Sequence, residues 1–544
     1  MEVQVRMKAV FFLTFAFIAV SMSHQPAVWS APAAGPAVPL TPSPVEKYAK
    51  FEARFEITGV VATNMYFPYD TSTPTGVTSG TGITVDALLL PPGESNWGNA
   101  ETQPCFYYQP MEEAGTGSSA TFLPSGDPEW RLRFAPDVPG VWQYKLRATD
   151  AGGTGEGSVH TFTCVDADRK GYVGVSPTDS RWMEFSDGTP FFTPLINAEA
   201  GNPLNGLSKL RAQIPVYAEN GVRFIRWFPT GEGANYAMYP FGDWMLPCWG
   251  FGSEHGAGIS TDADTAAGKK FSFVPYKYSG QSGIPAVPGA KYRLSFRGKV
   301  EPPSLLKVTL LGQTLTDSDS GGWADYVIDA TNTSSTTLSV NIRDDNNGGM
   351  VRVHSVSLRR DMTGSGDWGP NLLAHPDSDS YNYVDQRHAA LFDEVMELSE
   401  QYGVYHKLMV VHKNDQVLGR FNADGTINSS RSIYRVYSGP NQASRWYQEA
   451  WWRYMIARWS CYTSIHSLEF ANENDPNSSQ AYEAGWALAD YFHNNCARPI
   501  LISNSFWHSF PMTFWSDPRI DYGDEHAYLS YEDPPDYGDQ YHDH

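Results

Sequence analysis

Leu468-Glu469-Phe470-Ala471-Asn472-Glu473-Asn474-Asp475 closes an apolar run that begins at Ile465 and stops in an Asn-Glu pair, with Pro476 in the polar turn that follows. A short apolar run bounded by turn residues is the pattern of a strand buried on both faces. Such a strand hides its length and presents its C-terminal tip. Glu473 is therefore the candidate acid, and Asn472 beside it offers an amide to hydrogen-bond a ligand.

Outward from this stretch, apolar runs alternate with helical spacing. "TPFFTPLIN" (189–197) precedes "GLSKLRAQIPVYAENG" (206–221), and "VRFIRWF" (222–228) follows. The amphipathic "YVDQRHAALFDEVMELSEQYG" (383–403) leads to "VYHKLMVVH" (404–412), and "ASRWYQEAWWRYMIARW" (443–459) leads to the run that carries Glu473. "SQAYEAGWALADYFHNN" (479–495), "PILISNS" (499–505) and "RIDYGDEHAYL" (519–529) complete the series. Strands alternating with helices of this length predict parallel βα units, about six of the eight in a closed TIM-type barrel. A barrel places its chemistry at the C-terminal tips of its strands, where Glu473 lies. The helix bearing Trp446, Trp451, Trp452, Tyr454 and Trp459 has the spacing of a core-packing helix, which outweighs a sugar platform.

The series is assigned to residues 169–258 and 362–544 and has all-β segments before and within it. In 47–168, Trp130, Leu132 and Phe134 alternate with Arg131 and Arg133, and Trp142, Tyr144 and Leu146 with Gln143, Lys145 and Arg147. About seven such short strands predict an immunoglobulin-like sandwich. Residues 259–361 alternate similarly at Tyr292, Leu294 and Phe296 and at Leu338, Val340 and Ile342. They read as an inserted β-sandwich, with Tyr276, Tyr278 and Trp323 as candidate stacking residues, for each of which a place in the core outweighs a ligand-facing one.

The chain of 544 residues carries a formal charge of −21 and no basic tract, which argues against a nucleic-acid or anionic-membrane partner. Aromatics make up 14% of residues, and rings with polar edges suit sugar recognition. Arg6 and Lys8 precede an apolar run over 9–22, too short to span a bilayer, so residues 1–31 read as a secretory signal and the mature protein as exported. Residues 32–46, rich in Pro and Ala, read as a stiff linker. Five cysteines permit two disulfides, Cys105 with Cys164 and Cys461 with Cys496, and leave Cys248 over. None has metal-type spacing, so no metal site and no cofactor are expected.

The Asn472-Glu473 tip, on the fourth predicted strand, resembles the strand-four motif of clan GH-A glycoside hydrolases. Those barrels carry an Asn-Glu acid/base there and a Glu nucleophile at the end of strand seven. Arg226 is similar to the Arg of their strand two, His412 to a polar residue of strand three, and His526 with Tyr528 to the His-x-Tyr of strand six. The sandwich with "RFAPDVPGVWQYKL" resembles the immunoglobulin-like domain preceding many bacterial barrels of this clan, and the insertion resembles jelly-roll carbohydrate-binding modules. The resemblance implies a secreted O-glycosyl hydrolase acting on a polysaccharide or oligosaccharide by a retaining two-carboxylate mechanism, with Glu473 as acid/base. It implies substrate contacts from Asn472, Arg226, His412, His526, Tyr528 and Asn197, while Glu199 and Glu232 are held only as loop acids near the cleft. A structural calcium in the insertion rests on analogy alone.

Arg226 has a second reading, as the ion-pair partner of Glu469 deeper on the same strand face. The strand-seven Glu has no counterpart before His544. The nucleophile is therefore expected beyond the end of this chain, with Glu525 as the weaker alternative. A non-catalytic carbohydrate-binding protein with a degenerate barrel is the competing function.

Overall fold

The computed structural model describes residues 31–75, 77–114, 120–197, 207–227, 257–260, 270–272, 284–335, 337–338, 340–345, 350–369, 384, 386–411, 442–507 and 510–526. Strands dominate them, with five α-helices. Residues 1–30 of the expected signal segment lie outside them.

The α/β unit runs β1 (Leu195–Asn197), α1 (Leu207–Glu219), β2 (Phe224–Trp227), α2 (Gln386–Tyr402), β3 (Tyr405–Val411), α3 (Gln442–Trp459), β4 (Ile465–Ala471) and α4 (Ser479–Asn495). It continues through β5 (Leu501–Ser503), β6 (Ser505–Trp507), α5 (Met512–Trp515) and β7 (Asp524–His526). Strands β1 to β5 form one parallel sheet in chain order. β6 carries the β5 line onward and pairs in parallel with β7, and Asn474, just past β4, bridges Phe506.

Register sorts the side chains by face. Asn197, Arg226, Lys407 and Ser467 stand side by side on one face, with Glu469 and Ser503 paired one step further on. Ile225, Leu408, Leu468 and Ile502 fall on the other face and join the large apolar core with the helices. Trp451, Trp452, Tyr454 and Trp459 are in that core too, as their spacing predicted. The N-terminal end of the polar face is closed by a small sheet, Val173–Val175, Met183–Phe185 and Pro190–Phe191. Its Phe185 and Phe191 rings each lie 5.3 Å from Tyr405.

Ahead of this unit, two antiparallel-rich sheets share a core built from Phe51, Phe55, Leu89, Leu132, Trp142, Tyr144 and Phe162. Residues 284–361 contribute a separate core around Tyr292, Leu294, Val308, Ile342 and Leu358. Tyr276 and Tyr278, and the side chain of Trp323, lie outside what is described.

Two expectations are corrected. The Pro/Ala-rich segment is part of the first sandwich rather than a linker. Ala33–Ala34 pairs with Ile57–Thr58, Val38–Pro39 with Ala53–Arg54, and Val45–Glu46 with Cys164–Val165. Proline suits these edge positions, where its missing N–H costs no ladder bond.

The expected disulfides are absent, and Cys105, Cys164, Cys461 and Cys496 are free thiols. Along the strand Gly140–Asp150, Cys164 faces Gly140 at one end. Val85, whose carbonyl accepts the Cys105 N–H, faces Ala148 near the other. Strand rise puts the two roughly 26 Å apart, far beyond disulfide reach. Cys461 and Cys496 each belong to a different helix end, with Cys461 Sγ at 3.9 Å from the Arg458 carbonyl and the Cys496 N–H closing α4 onto Phe492. Burial pushes the Cys496 thiol up to about 11. Cys248 lies outside the described residues.

Candidate active site at the strand tips

Past Ala471 the chain makes an abrupt turn. Glu473 has φ +51°, the left-handed region that costs a residue with a Cβ roughly 1–2 kcal/mol. Hydrogen bonds from the neighbouring strand hold it there. The Glu473 N–H donates to Ser505 Oγ at 2.8 Å and the Asn474 N–H to the Ser505 carbonyl at 2.9 Å. The fully buried Asn474 side chain donates to the Ala471 carbonyl (2.6 Å), Asn504 Oδ1 (2.7 Å) and the Ser505 carbonyl (3.0 Å). Asn504 Oδ1 also accepts the Ala471 N–H at 3.1 Å. A side chain thus replaces one rung of the ladder, which is why β5 and β6 are separate strands on one line. Strain of this kind is maintained only where surrounding structure over-determines it, and it marks functional sites.

Beneath the tip lies a buried ion network. Arg226 grips Glu469 with two bonds, Nε to Oε2 and Nη2 to Oε1, both 2.7 Å. The same Nη2 donates to Asn472 Oδ1 at 2.7 Å, and Nη1 reaches Asn197 Oδ1 at 3.4 Å. Ser505 Oγ donates to Glu469 Oε1. Lys407 lies 3.6 Å from Glu469 and forms a close ion pair with Asp524. Burial pushes the Glu469 carboxyl up, but Arg226 and Lys407 outweigh it and hold the group below the usual carboxylate range. Burial likewise opposes charge on Lys407, and Asp524, Tyr522 and Glu469 more than restore it.

Above the network, His526 Nδ1 is 3.4 Å from Glu473 Oε1. Glu469, Asp524 and His526 bring potential ligand atoms within 4.8 Å of one another. The donor set does not fit a metal centre, because both carboxylates already neutralise Arg226 and Lys407, and these cations would repel a metal ion.

Of the residues singled out from sequence, Asn197, Arg226, Asn472, Glu473 and His526 converge at this end of the sheet. The alternative reading of Arg226 as the partner of Glu469 describes its contacts, and the same guanidinium also orients Asn472. Glu525 lies on β7 between two residues that face the network, so strand alternation turns it to the opposite face, away from Glu473. His412, Tyr528, Glu199 and Glu232 lie outside the described residues. Lys407, Asp524, Ser505, Asn504 and Asn474 had not been singled out. Lys407 left one trace, as a lone charge inside "VYHKLMVVH".

No family model matches the chain, and no curated protein matches it. Among solved structures, a candidate glycoside hydrolase from Bacteroides vulgatus aligns over 87% of this chain at 13% identity, with a TM-score of 0.44. The chain spans 58% of that protein's length. A carbohydrate-binding module of Cellvibrio mixtus lichenase 5A, solved with cellotriose, covers 19% of this chain and 83% of its own at 15% identity, TM-score 0.13. The carbohydrate-binding and catalytic modules of a Clostridium thermocellum xylanase, solved with xylohexaose, cover 46% of this chain and 64% of theirs at 9% identity, TM-score 0.18. Likenesses this remote carry no weight for function, which has to come from the residues themselves.

Proposed function

We propose that the protein is a retaining glycoside hydrolase with Glu473 as its acid/base, its parallel strands belonging to a TIM-type barrel that follows an immunoglobulin-like sandwich. The observation that carries this reading is the division of labour among the acids. Glu469 and Asp524 are committed to Arg226 and Lys407 as fixed counter-ions. Glu473 alone of the three stands at the strand tip, on a backbone held in a strained conformation, beside His526 and an oriented Asn472.

Glycosidic cleavage needs a carboxylic acid that protonates the leaving oxygen and then, as carboxylate, deprotonates water. Glu473 fits that role, and Asn472, its Oδ1 fixed by Arg226, has its amide N–H groups to offer a sugar hydroxyl. A nucleophilic carboxylate must face Glu473 at about 5 Å. Since Glu469 and Asp524 are neutralised and Glu525 faces away, this role falls to a carboxylate outside the described residues. The aromatic content supports a polysaccharide or oligosaccharide substrate, and the N-terminal segment read as a secretory signal supports a site of action outside the cytoplasm. Among the described residues, no helix is long and apolar enough to cross a membrane.

Leaving-group dependence tests the assignment. In the full-length protein, Glu473→Ala should lower kcat/KM for a 4-methoxyphenyl glycoside by about 10²–10⁴-fold. kcat/KM for a 2,4-dinitrophenyl glycoside of the same sugar, whose leaving group needs no proton, should be far less affected, while its kcat falls because water attack has lost its base. Equal losses on both, or an equal loss of binding, would count against a catalytic acid and favour the non-catalytic carbohydrate-binding function.

A further inference from the structure

Ser505 is fully buried, lies one strand away from the acid, and touches both halves of the site. Its hydroxyl has one proton and two lone pairs. Glu469, kept ionised by Arg226 and Lys407, can only accept a hydrogen bond, so it takes that proton. A lone pair is then left aimed at the Glu473 N–H, which donates to it at 2.8 Å. The chain of orientation therefore runs from the two cations through Glu469 and Ser505 to the backbone of the acid.

The Ser505 carbonyl strengthens the hold by accepting from both the Asn474 N–H and its side-chain amide. Glu473 keeps its left-handed φ of +51° between these bonds. Left to itself, a glutamate would relax to a negative φ and swing its carboxyl away from His526.

We infer that Ser505 is a positioning residue for the acid/base step, relaying the geometry of the buried Arg226–Glu469–Lys407 network to the Glu473 carboxyl. It touches neither substrate nor reacting atoms. The inference rests on reading Glu473 as the acid, and its consequence is specific: losing the hydroxyl should damage proton delivery while sparing substrate binding.

The test uses the full-length protein and paired 4-methoxyphenyl and 2,4-dinitrophenyl glycosides of whichever sugar the wild type turns over. Ser505→Ala should lower kcat/KM on the methoxyphenyl substrate by about 10²-fold, the scale of a misplacement of about 1 Å. kcat/KM for the dinitrophenyl substrate should fall less than about threefold, because forming the glycosyl-enzyme from it needs no proton; its kcat and KM should fall together, because the water that releases the sugar still needs Glu473 as base. Ser505→Thr, which keeps the hydroxyl, should restore most of kcat/KM on the methoxyphenyl substrate. If Ser505→Ala does not fold, Ser505→Cys carries the same comparison, since a thiol fills the space but accepts an N–H poorly.

Equal losses of kcat/KM on the two leaving groups, or a loss confined to KM on the methoxyphenyl substrate, would overturn the inference. Should Glu473→Gln itself leave turnover intact, the acid assignment falls and amide hydrogen exchange decides the clamp. At least tenfold faster exchange at the Glu473 N–H in Ser505→Ala, with the Ala471 N–H unchanged, sustains it. Unchanged exchange at Glu473 overturns it.

Discussion

Arg226 and Glu469 are both buried, and their pairing is a condition of the fold rather than a bonus to it. Removing one partner of a buried pair strands the other charge, at about 3–5 kcal/mol. Arg226→Met should therefore cost that much, lessened by the Lys407 ammonium 3.6 Å away. Arg226→Met combined with Glu469→Leu should recover part of the loss. Urea denaturation followed by tryptophan fluorescence measures both, and a double variant as unstable as the sum of the singles would show that the two residues do not depend on each other. Two buried histidines set a further dependence on pH. Burial pushes His406 and His466 down to about 3, with Lys407 adding to the effect on His466. In the unfolded chain they titrate near 6.5, so between pH 6.5 and 3 the unfolded state binds protons that the folded state refuses. Stability should fall as pH falls through that window, by up to about 1.4 kcal/mol per pH unit for each histidine. His406→Gln should make the slope shallower than in the wild type between pH 6.5 and 5, a comparison in which the carboxylates common to both proteins cancel. An unchanged slope would place its proton uptake elsewhere.

At the scale of elements, β4 and β5 were legible because both are apolar runs cut off by turn residues, and the helices because their apolar spacing is regular. Their junction was not legible. Nothing in "ISNSFW" announces that Asn504 will replace a ladder rung with its side chain, since that depends on Asn474 arriving from the adjacent strand. Lys407 was hidden for a related reason: a charge in an apolar run is accounted for only once register sets it beside Arg226 and within reach of Asp524 and Glu469. Asn472 and Glu473 escaped this problem because a strand tip is defined by local sequence alone. The α4 helix is seated against the same junction through Gly485. A Cβ there would come within 2.8 Å of the Phe514 ring and 3.3 Å of Asn504 Nδ2. Gly485→Ala gains helix propensity yet overpacks the contact, and the clash should prevail, with a net loss of about 1–3 kcal/mol. A neutral or stabilising result in thermal denaturation would show that Phe514 yields freely.

At the scale of the molecule, the first sandwich is joined to the α/β unit by buried charge, and a spacer would not need such a joint. Asp393 on α2 accepts from Arg133 of the sandwich (2.8 and 3.1 Å), from Arg458 on α3 (2.7 Å) and from Trp459 Nε1 (2.8 Å). Burial pushes the Asp393 carboxyl up, and Arg133 and Arg458 outweigh it, holding it well below the usual carboxylate range. Around this centre, Arg133 also meets Glu52 at 3.1 Å and Arg498 meets Asp137 at 3.0 Å, while Phe67 and Phe106 enter the core of the α/β unit. Composition could show neither half of this joint, because each arginine alone reads as a solvated strand or helix residue. The arrangement makes the sandwich part of the platform that fixes α2 and α3, the helices leading into β3 and β4. Asp393→Ala leaves Arg133 and Arg458 buried without their shared anion and should cost about 3–5 kcal/mol. Asp393→Asn keeps the shape and some acceptors and should cost less. With several cores a global transition does not show which unit has lost stability, so local exchange is the better measurement for a joint between two of them. Asp393→Ala should speed amide exchange in Phe51–Phe55, Glu129–Phe134 and α2 together, while the inserted sandwich, with its separate core, keeps its wild-type protection. Faster exchange in α2 alone would show that the sandwich is held by its apolar contacts and that the ion network only trims the helix.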